Sequence, residues 1–81
     1  MSSTEEQIKE IIATRIGKDV QNRHNLSEDL GLDSLDTVEV VIDVEMACRV
    51  VIPDQETKRF KSVQDIIDYV DTRTGRHRET R

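Results

Sequence analysis

Apolar residues recur at helical spacing in three segments of the chain, and no segment alternates convincingly as a strand. The first segment runs from about residue 4 to residue 16, and its stripe consists of Ile8, Ile11, Ile12 and Ile16. The second runs from about 34 to 49, and its predicted inward face consists of Leu35, Val38, Val41, Ile42 and Met46. The third runs from about 63 to 73, with a stripe of Val63, Ile66, Ile67 and Val70. This pattern predicts three main helices.

Residues at the ends of two segments support these limits. Ser3 is typical of the residue that begins a capping box, and Gly17 stands where a helix stops. Ser62 and Asp65 mark the start of the last helix, and Gly75 marks its end. The first and third helices therefore each have a start signal and a stop signal.

The connections between the segments differ in length. Residues 18–33 form a first loop that is long for a helical bundle, although three leucines can pin it to the core: Leu26, Leu30 and Leu32. Pro53 is predicted to open a short helical turn through Gln55 to Arg59, because proline suits the first position of a helix. We therefore predict an all-α fold, a four-helix bundle of three main helices and one short helix, up-down-down in sense, with a long first loop.

The chain of 81 residues supports one domain. We predict that it spans residues 1–75 and that a basic, disordered tail follows at 76–81. Phe60 and Tyr69 are the only aromatic residues, so the core must be built from aliphatic side chains.

The net charge of −5 is unevenly placed along the chain. Between Leu26 and Cys48 there are seven acidic residues and no lysine or arginine. The seven are Glu28, Asp29, Asp33, Asp36, Glu39, Asp43 and Glu45. This segment would repel the phosphates of a nucleic acid, whereas it would attract basic patches on partner proteins. The alternative is a solvated helix face without a partner.

Cys48 is the only cysteine, so we expect no internal disulfide and no metal site. Its place on the inner side near the end of the second helix favours a small core residue, with a reactive or intermolecular role as the alternative. No apolar run approaches the about 20 residues of a membrane span, and the first residues lack an apolar signal region. We expect a monomer in the cytoplasm or an equivalent reducing compartment, without membrane insertion.

The most informative stretch is residues 30–39, Leu-Gly-Leu-Asp-Ser-Leu-Asp-Thr-Val-Glu. Gly31 permits a turn that a side chain would oppose, and Asp33 is a strong N-cap for the helix that follows. Ser34 then falls at the first helical position, where the backbone does not need its hydroxyl. A hydroxyl at the positive end of a helix dipole is favourably placed to be joined to a phosphate. For these residues alone, an ordinary helix start is the alternative.

This stretch, with Asp36 and Glu39 after the serine, resembles the attachment motif of acyl carrier proteins. The resemblance extends from about Glu5 to Asp71. Its further parts are Glu5-Glu6 with Ile11-Ile12, Glu28-Asp29-Leu30-Gly31, Ile52-Pro53-Asp54, and the segment from Val63 through Ile67-Asp68-Tyr69-Val70. One short motif would indicate the family only weakly, but the order and spacing of these several segments are specific to it.

The resemblance implies a carrier that is not an enzyme. A separate phosphopantetheinyl transferase, using coenzyme A and Mg²⁺, would attach 4'-phosphopantetheine covalently to Ser34, and acyl groups would be held on this arm as thioesters. The implied partners are the acyl-transferring, condensing and modifying enzymes of fatty-acid or related lipid and polyketide biosynthesis, which would dock through basic patches. Asp33 would also orient the serine and contact the transferase. The expected docking residues are Asp33, Asp36, Glu39, Val40, Asp43 and Glu45.

The residues themselves agree with a carrier, since no base is clearly placed to activate Ser34. His24 is predicted to be a satisfied loop histidine, and His77 lies in the tail. The nucleophile-elbow pattern fails because Leu35 and Asp36 follow the serine instead of a glycine. We expect no catalytic residue in the chain.

The chain departs from the family pattern at 46–51, where the usual stretch is acidic and has an aromatic residue at the position of Cys48. The first loop is also a few residues short and the tail more basic, which suits a specialised carrier as well as a housekeeping one. Two alternatives stay open at this point: an aminoacyl or peptidyl carrier of the same fold, and a helical interaction module that is never modified. The acid density around Ser34 favours the acyl carrier over the aminoacyl carrier.

Overall fold

Four helices joined by loops make up residues 3–74, the part of the chain that the computed structural model describes. They are α1 (Thr4–Ile16), α2 (Ser34–Cys48), α3 (Asp54–Thr57) and α4 (Val63–Thr74). The only β-type pairing within these residues is an isolated antiparallel bridge between Asn25 and Ser62. The predicted all-α fold of three main helices and one short helix is confirmed. The tail predicted at 76–81 lies outside the described residues.

Side-chain caps set the ends of α1 and the start of α4. The Ser3 hydroxyl accepts a hydrogen bond from the backbone N–H of Glu6 at 3.1 Å, and Gly17 ends α1 with a φ of 76°. At α4 the Ser62 hydroxyl accepts from the N–H of Asp65 at 3.2 Å, and the Asp65 carboxylate accepts from the N–H of Ser62 at 3.1 Å. These predicted signals are confirmed. The stop signal predicted for α4 lies outside the described residues.

The aliphatic core consists of side chains from α1, α2, α4 and the first loop. Helix α1 contacts both α2 and α4. The fully buried helical members of the core are Ile8, Ile12, Val40, Val44, Val63, Ile66, Ile67 and Val70. The three loop leucines join it as predicted, and they are Leu26, Leu30 and Leu32. The N–H of Leu26 also donates to the carbonyl of Lys61 at 2.8 Å, so the first loop is held beside the start of α4. Among the described residues, no helix has the length and apolar character that crossing a membrane requires.

The inward face predicted for α2 is wrong at four of its five positions. The four exposed side chains, at 42% to 71%, are Leu35, Val38, Ile42 and Met46. The buried side of α2 consists of Val40, Val41 and Val44. Apolar residues recur at helical spacing on both sides of this helix, so periodicity could not choose the buried side. Because Val40, Val41 and Val44 pack into the core, the apolar side chains on the opposite side of α2 are turned outward.

The short helix α3 begins one residue later than predicted and ends earlier. Pro53 has an extended ψ of 153°, so it is the N-cap residue and the first helical residue is Asp54. After Thr57 the chain tightens, since the N–H of Arg59 donates to the carbonyl of Glu56 at 2.9 Å, three residues back. The helix therefore stops before Arg59, where the sequence had placed its end.

The orientation of α2 can be tested by replacing valine with alanine at one buried and one exposed position. We expect Val44→Ala to lower the free energy of unfolding by about 2 kcal/mol, because it removes two buried carbon atoms and leaves a cavity. The matched change is Val38→Ala, where the residue is 42% exposed. There we expect a change within about 0.5 kcal/mol. Urea denaturation measures both, and equal losses would contradict the observed orientation of α2.

Candidate functional site

The start of α2 is fixed by a reciprocal capping box. The Asp33 carboxylate accepts a hydrogen bond from the N–H of Asp36 at 2.8 Å, and the Asp36 carboxylate accepts from the N–H of Asp33 at 3.4 Å. Gly31 precedes the cap with a φ of 70°, a left-handed conformation that favours glycine. The turn and the cap together make Ser34 the first helical residue, as predicted.

Ser34 presents an exposed hydroxyl at this helix start. Its side chain makes no hydrogen bond to any other described residue, whereas the nearby Thr37 hydroxyl donates to the carbonyl of Asp33 at 3.0 Å. The first-turn N–H groups and the helix dipole favour negative charge at this end of α2. The hydroxyl is therefore accessible to an enzyme that would modify it, and its position suits a phosphate ester.

No histidine of the described residues is placed as a base for this hydroxyl. The Nδ1 atom of His24 accepts a hydrogen bond from the N–H of Gln21 at 3.0 Å, so it is the satisfied loop histidine that was predicted. His77 lies outside the described residues. Within residues 3–74 there is also no group of three His, Cys, Asp or Glu side chains that could hold a metal ion.

A groove of about 500 Å³ lies beside Ser34. One wall is formed by the first loop and the start of α2, including Leu32 and Val38, and the other by residues of the segment 57–61. The groove contains both apolar and polar side chains. An exposed hydroxyl next to such a groove fits a phosphopantetheine arm, because the arm has a site of attachment and a surface of mixed polarity to lie against.

The acidic residues expected to dock partners are in three different settings. Asp33 and Asp36 form the cap next to Ser34. Glu39 and Asp43 lie on successive turns of α2 and face α1, where the Arg15 guanidinium approaches their carboxylates at 2.8 and 3.9 Å. The acidic segment of the sequence therefore has a cation beside it in space, which the sequence order did not show.

The remaining two expected docking residues are turned toward the protein. The Glu45 carboxylate accepts a hydrogen bond from the N–H of Ile52 at 2.7 Å and so fixes the loop after α2. Val40 is fully buried, so its predicted place on an exposed docking face is wrong. The reason is the valine side of α2, which is the side that packs into the core.

The sequence interpretation missed the apolar surface of α2. We call it the outer stripe and define it as Leu35, Val38, Ile42 and Met46, all exposed. It begins next to Ser34 and runs along the helix on the side opposite the buried valines. The available signal was that α2 has more apolar positions than one buried face requires. Large exposed apolar patches are typical of protein-binding sites.

Cys48 lies at the last turn of α2 and is half-buried against the core. Its Sγ atom contacts the Oε1 atom of Gln7 at 3.8 Å. This setting agrees with the predicted role of a small core residue.

Two comparisons relate these features to known proteins. Residues 6–70 match the family model for the phosphopantetheine attachment site, and this range contains the cap, Ser34 and both walls of the groove. The structure is also similar to the crystal structure of an acyl carrier protein from Thermotoga maritima, with a TM-score of 0.73. The two chains share 30% sequence identity, and the match covers 86% of this chain and 85% of the other.

The ion bridge between α1 and α2 leads to a prediction about salt. Arg15→Gln should lower the free energy of unfolding by at most about 1 kcal/mol in dilute buffer, because Glu39 and Asp43 then repel each other. Added NaCl should recover the loss by screening that repulsion. The measurement is the melting temperature against NaCl concentration, with Arg59→Gln as a control that removes an arginine with no ion pair among the described residues. Parallel curves for the wild type and both variants would contradict the prediction.

Proposed function

We propose that this chain, which belongs to the family of proteins with a phosphopantetheine attachment site, carries acyl groups on an arm joined to Ser34. Proteins of the acyl carrier type are carriers and not enzymes, and the chain is a carrier of that type with covalent 4'-phosphopantetheine. When bound, the arm supplies a thiol that holds acyl groups as thioesters.

The observation that carries the assignment of Ser34 is its exposed hydroxyl at the first residue of α2. In the proposed attachment, the Oγ atom of Ser34 forms a phosphodiester with the phosphopantetheine of coenzyme A, and adenosine 3',5'-bisphosphate leaves. The hydroxyl proton passes to a base of the transferase, because His24 and the Asp33 carboxylate already accept backbone hydrogen bonds in this chain. The new negative charge then lies at the N-terminus of a helix, where the backbone N–H groups stabilise it.

The outer stripe and the acids beside it support delivery to partner enzymes. A partner patch that is apolar at its centre and basic at one edge would match the outer stripe and the carboxylates of Asp36, Glu39 and Asp43. Leu35, the first residue of the outer stripe, directly follows Ser34. The arm would therefore lie at the edge of the surface that a docked enzyme covers. The proposed partners are a phosphopantetheinyl transferase and the acyl-transferring, condensing and modifying enzymes of fatty-acid or related lipid and polyketide biosynthesis.

The outer stripe also bears on the oligomeric state of the carrier. It has to be open to successive enzymes, which favours a monomer over a dimer that would cover it. The proposed location is the cytoplasm, where coenzyme A and the transferase would meet the chain. The density of acids around Ser34 favours acyl cargo over aminoacyl cargo.

Attachment at Ser34 can be tested by intact-protein mass. Given coenzyme A, Mg²⁺ and a phosphopantetheinyl transferase, the wild type should gain one phosphopantetheine and Ser34→Ala should gain none. Ser27→Ala is the matched control, since Ser27 is an exposed serine that lines the same groove. It should be modified like the wild type. A modified Ser34→Ala variant, or a wild type that several transferases leave unmodified, would refute the assignment.

The role of the outer stripe can be tested in the same assay. Ile42→Ala should raise the KM of the transferase about fivefold, which corresponds to about 1 kcal/mol of lost binding. Val51→Ala is the control, because Val51 is 78% exposed but belongs to the loop after α2. We expect it to leave the KM within about twofold, since it makes none of the proposed contacts. Equal effects of the two changes would mean that the outer stripe is not the docking surface.

A further inference from the structure

The groove beside Ser34 has two lysines on one wall, and we propose that Lys58 and Lys61 bind an oxyanion carried on the Ser34 arm. The oxyanion is either the phosphodiester of the arm or a carboxylate at the end of the acyl cargo. Both sources have the same chemistry, a negatively charged oxygen group that reaches the groove from Ser34. The inference rests on the proposed attachment at Ser34.

Backbone hydrogen bonds hold the lysine wall against the first loop. The carbonyl of Lys61 accepts from the N–H of Leu26 at 2.8 Å, and the N–H of Lys61 donates to the Asp65 carboxylate at 2.9 Å. Lys58 follows the last residue of α3, and its N–H donates to the carbonyl of Asp54 at 3.2 Å. Lys58 and Lys61 therefore line the groove from a segment of the backbone that these hydrogen bonds hold in place.

The lysine ammonium groups have no acidic partner within the described residues, where the ion pairs involve only Lys9 and Arg15 as cations. Two acids do line the same groove. The Asp33 carboxylate is engaged by the N–H of Asp36, and Glu28 is exposed on the opposite wall. Both lysines are thus available to a charged ligand.

An anion at Ser34 needs such a counter-charge in this chain. The net charge is −5, and a phosphodiester at Ser34 would stand next to the carboxylates of Asp33 and Asp36. Like charges so close repel one another, and the helix N-terminus offsets only part of that repulsion. Within residues 3–74, Lys58 and Lys61 are the only cations that line the groove. They are therefore the groups that can balance an anion there.

Arg59 provides a matched control from the same segment. It stands between the two lysines in sequence and has the same charge, but it lines a different groove, together with Glu56, Asp65 and Tyr69. Replacing it removes one positive charge close to the lysine wall without removing a group from the groove beside Ser34.

The experiment compares three forms of the protein, with the arm ending in a thiol, a butyryl group or a succinyl group. Succinyl is butyryl with a carboxylate in place of the terminal methyl group, so the pair differs in one charge. Each form is made with the transferase from the corresponding coenzyme A compound, and intact mass confirms the attachment. The readout is the melting temperature of each form and of the unmodified protein, in dilute buffer and in concentrated NaCl.

If the cargo carboxylate is the anion, the succinyl form of the wild type should melt about 2–4 °C above the butyryl form in dilute buffer. If the phosphodiester is the anion, attachment of the thiol-ended arm should itself be more stabilising in the wild type than in the double variant Lys58→Gln/Lys61→Gln. In either case the extra stabilisation that the anion gives should vanish in the double variant and in concentrated NaCl. It should persist in Arg59→Gln. Glu28→Gln should enlarge it, because it removes a negative charge from the opposite wall.

The proposal is overturned if wild type and double variant respond alike to both the arm and the succinyl group. It is also overturned if Arg59→Gln abolishes the effect as fully as the double variant, since net charge would then be the cause. A failure of attachment would show as an unchanged mass and would overturn the assignment of Ser34, and the anion site with it. The mass and the melting temperature therefore distinguish the two failures.

Discussion

The position of Ser34 depends on the capping box formed by Asp33 and Asp36. Those two reciprocal hydrogen bonds end the first loop and begin α2 at the next residue. A helix that began later would leave the serine in the loop, away from the first-turn N–H groups that favour an anion. Gly31 contributes the left-handed turn that brings the chain into the cap. The attachment chemistry proposed for this carrier is thus a consequence of how one helix starts.

The second constraint is the rotation of α2 about its axis, which the buried valines determine. Val40 and Val44 are fully buried, and once they face the core the outer stripe must face the solvent. Because the apolar surface of the outer stripe stays in water, it does not contribute the stability that burial in the core would give. A partner enzyme that covers the stripe would recover this free energy on binding. The arrangement is consistent with a small domain whose surface is selected for transient contacts.

How far the sequence predicted the structure depends on how one-sided each helix is. The helices α1 and α4 have one apolar stripe each and clear caps, so Ile8 and Ile66 could be placed in the core from spacing alone. The helix α2 is apolar on two sides, and this is why Val40 was misplaced and the outer stripe missed. The start of α2 was predictable because the cap is local in sequence. The pairing of Arg15 with Glu39 was not, because it joins two helices that only the fold brings together.

Charge in this protein is arranged by the fold rather than by the order of the chain. A sequence segment with seven acids and no cation becomes, in space, a helix with Arg15 on one side and a groove edged by Lys58 and Lys61 near its start. Val38 belongs to both the groove and the outer stripe, so the surface proposed for cargo and the surface proposed for partners meet at one side chain. An enzyme that covers Val38 therefore touches the edge of the groove as it docks. Cargo that leaves the groove for that enzyme has only a short way to travel, because the arm is anchored between the two surfaces in the proposed function.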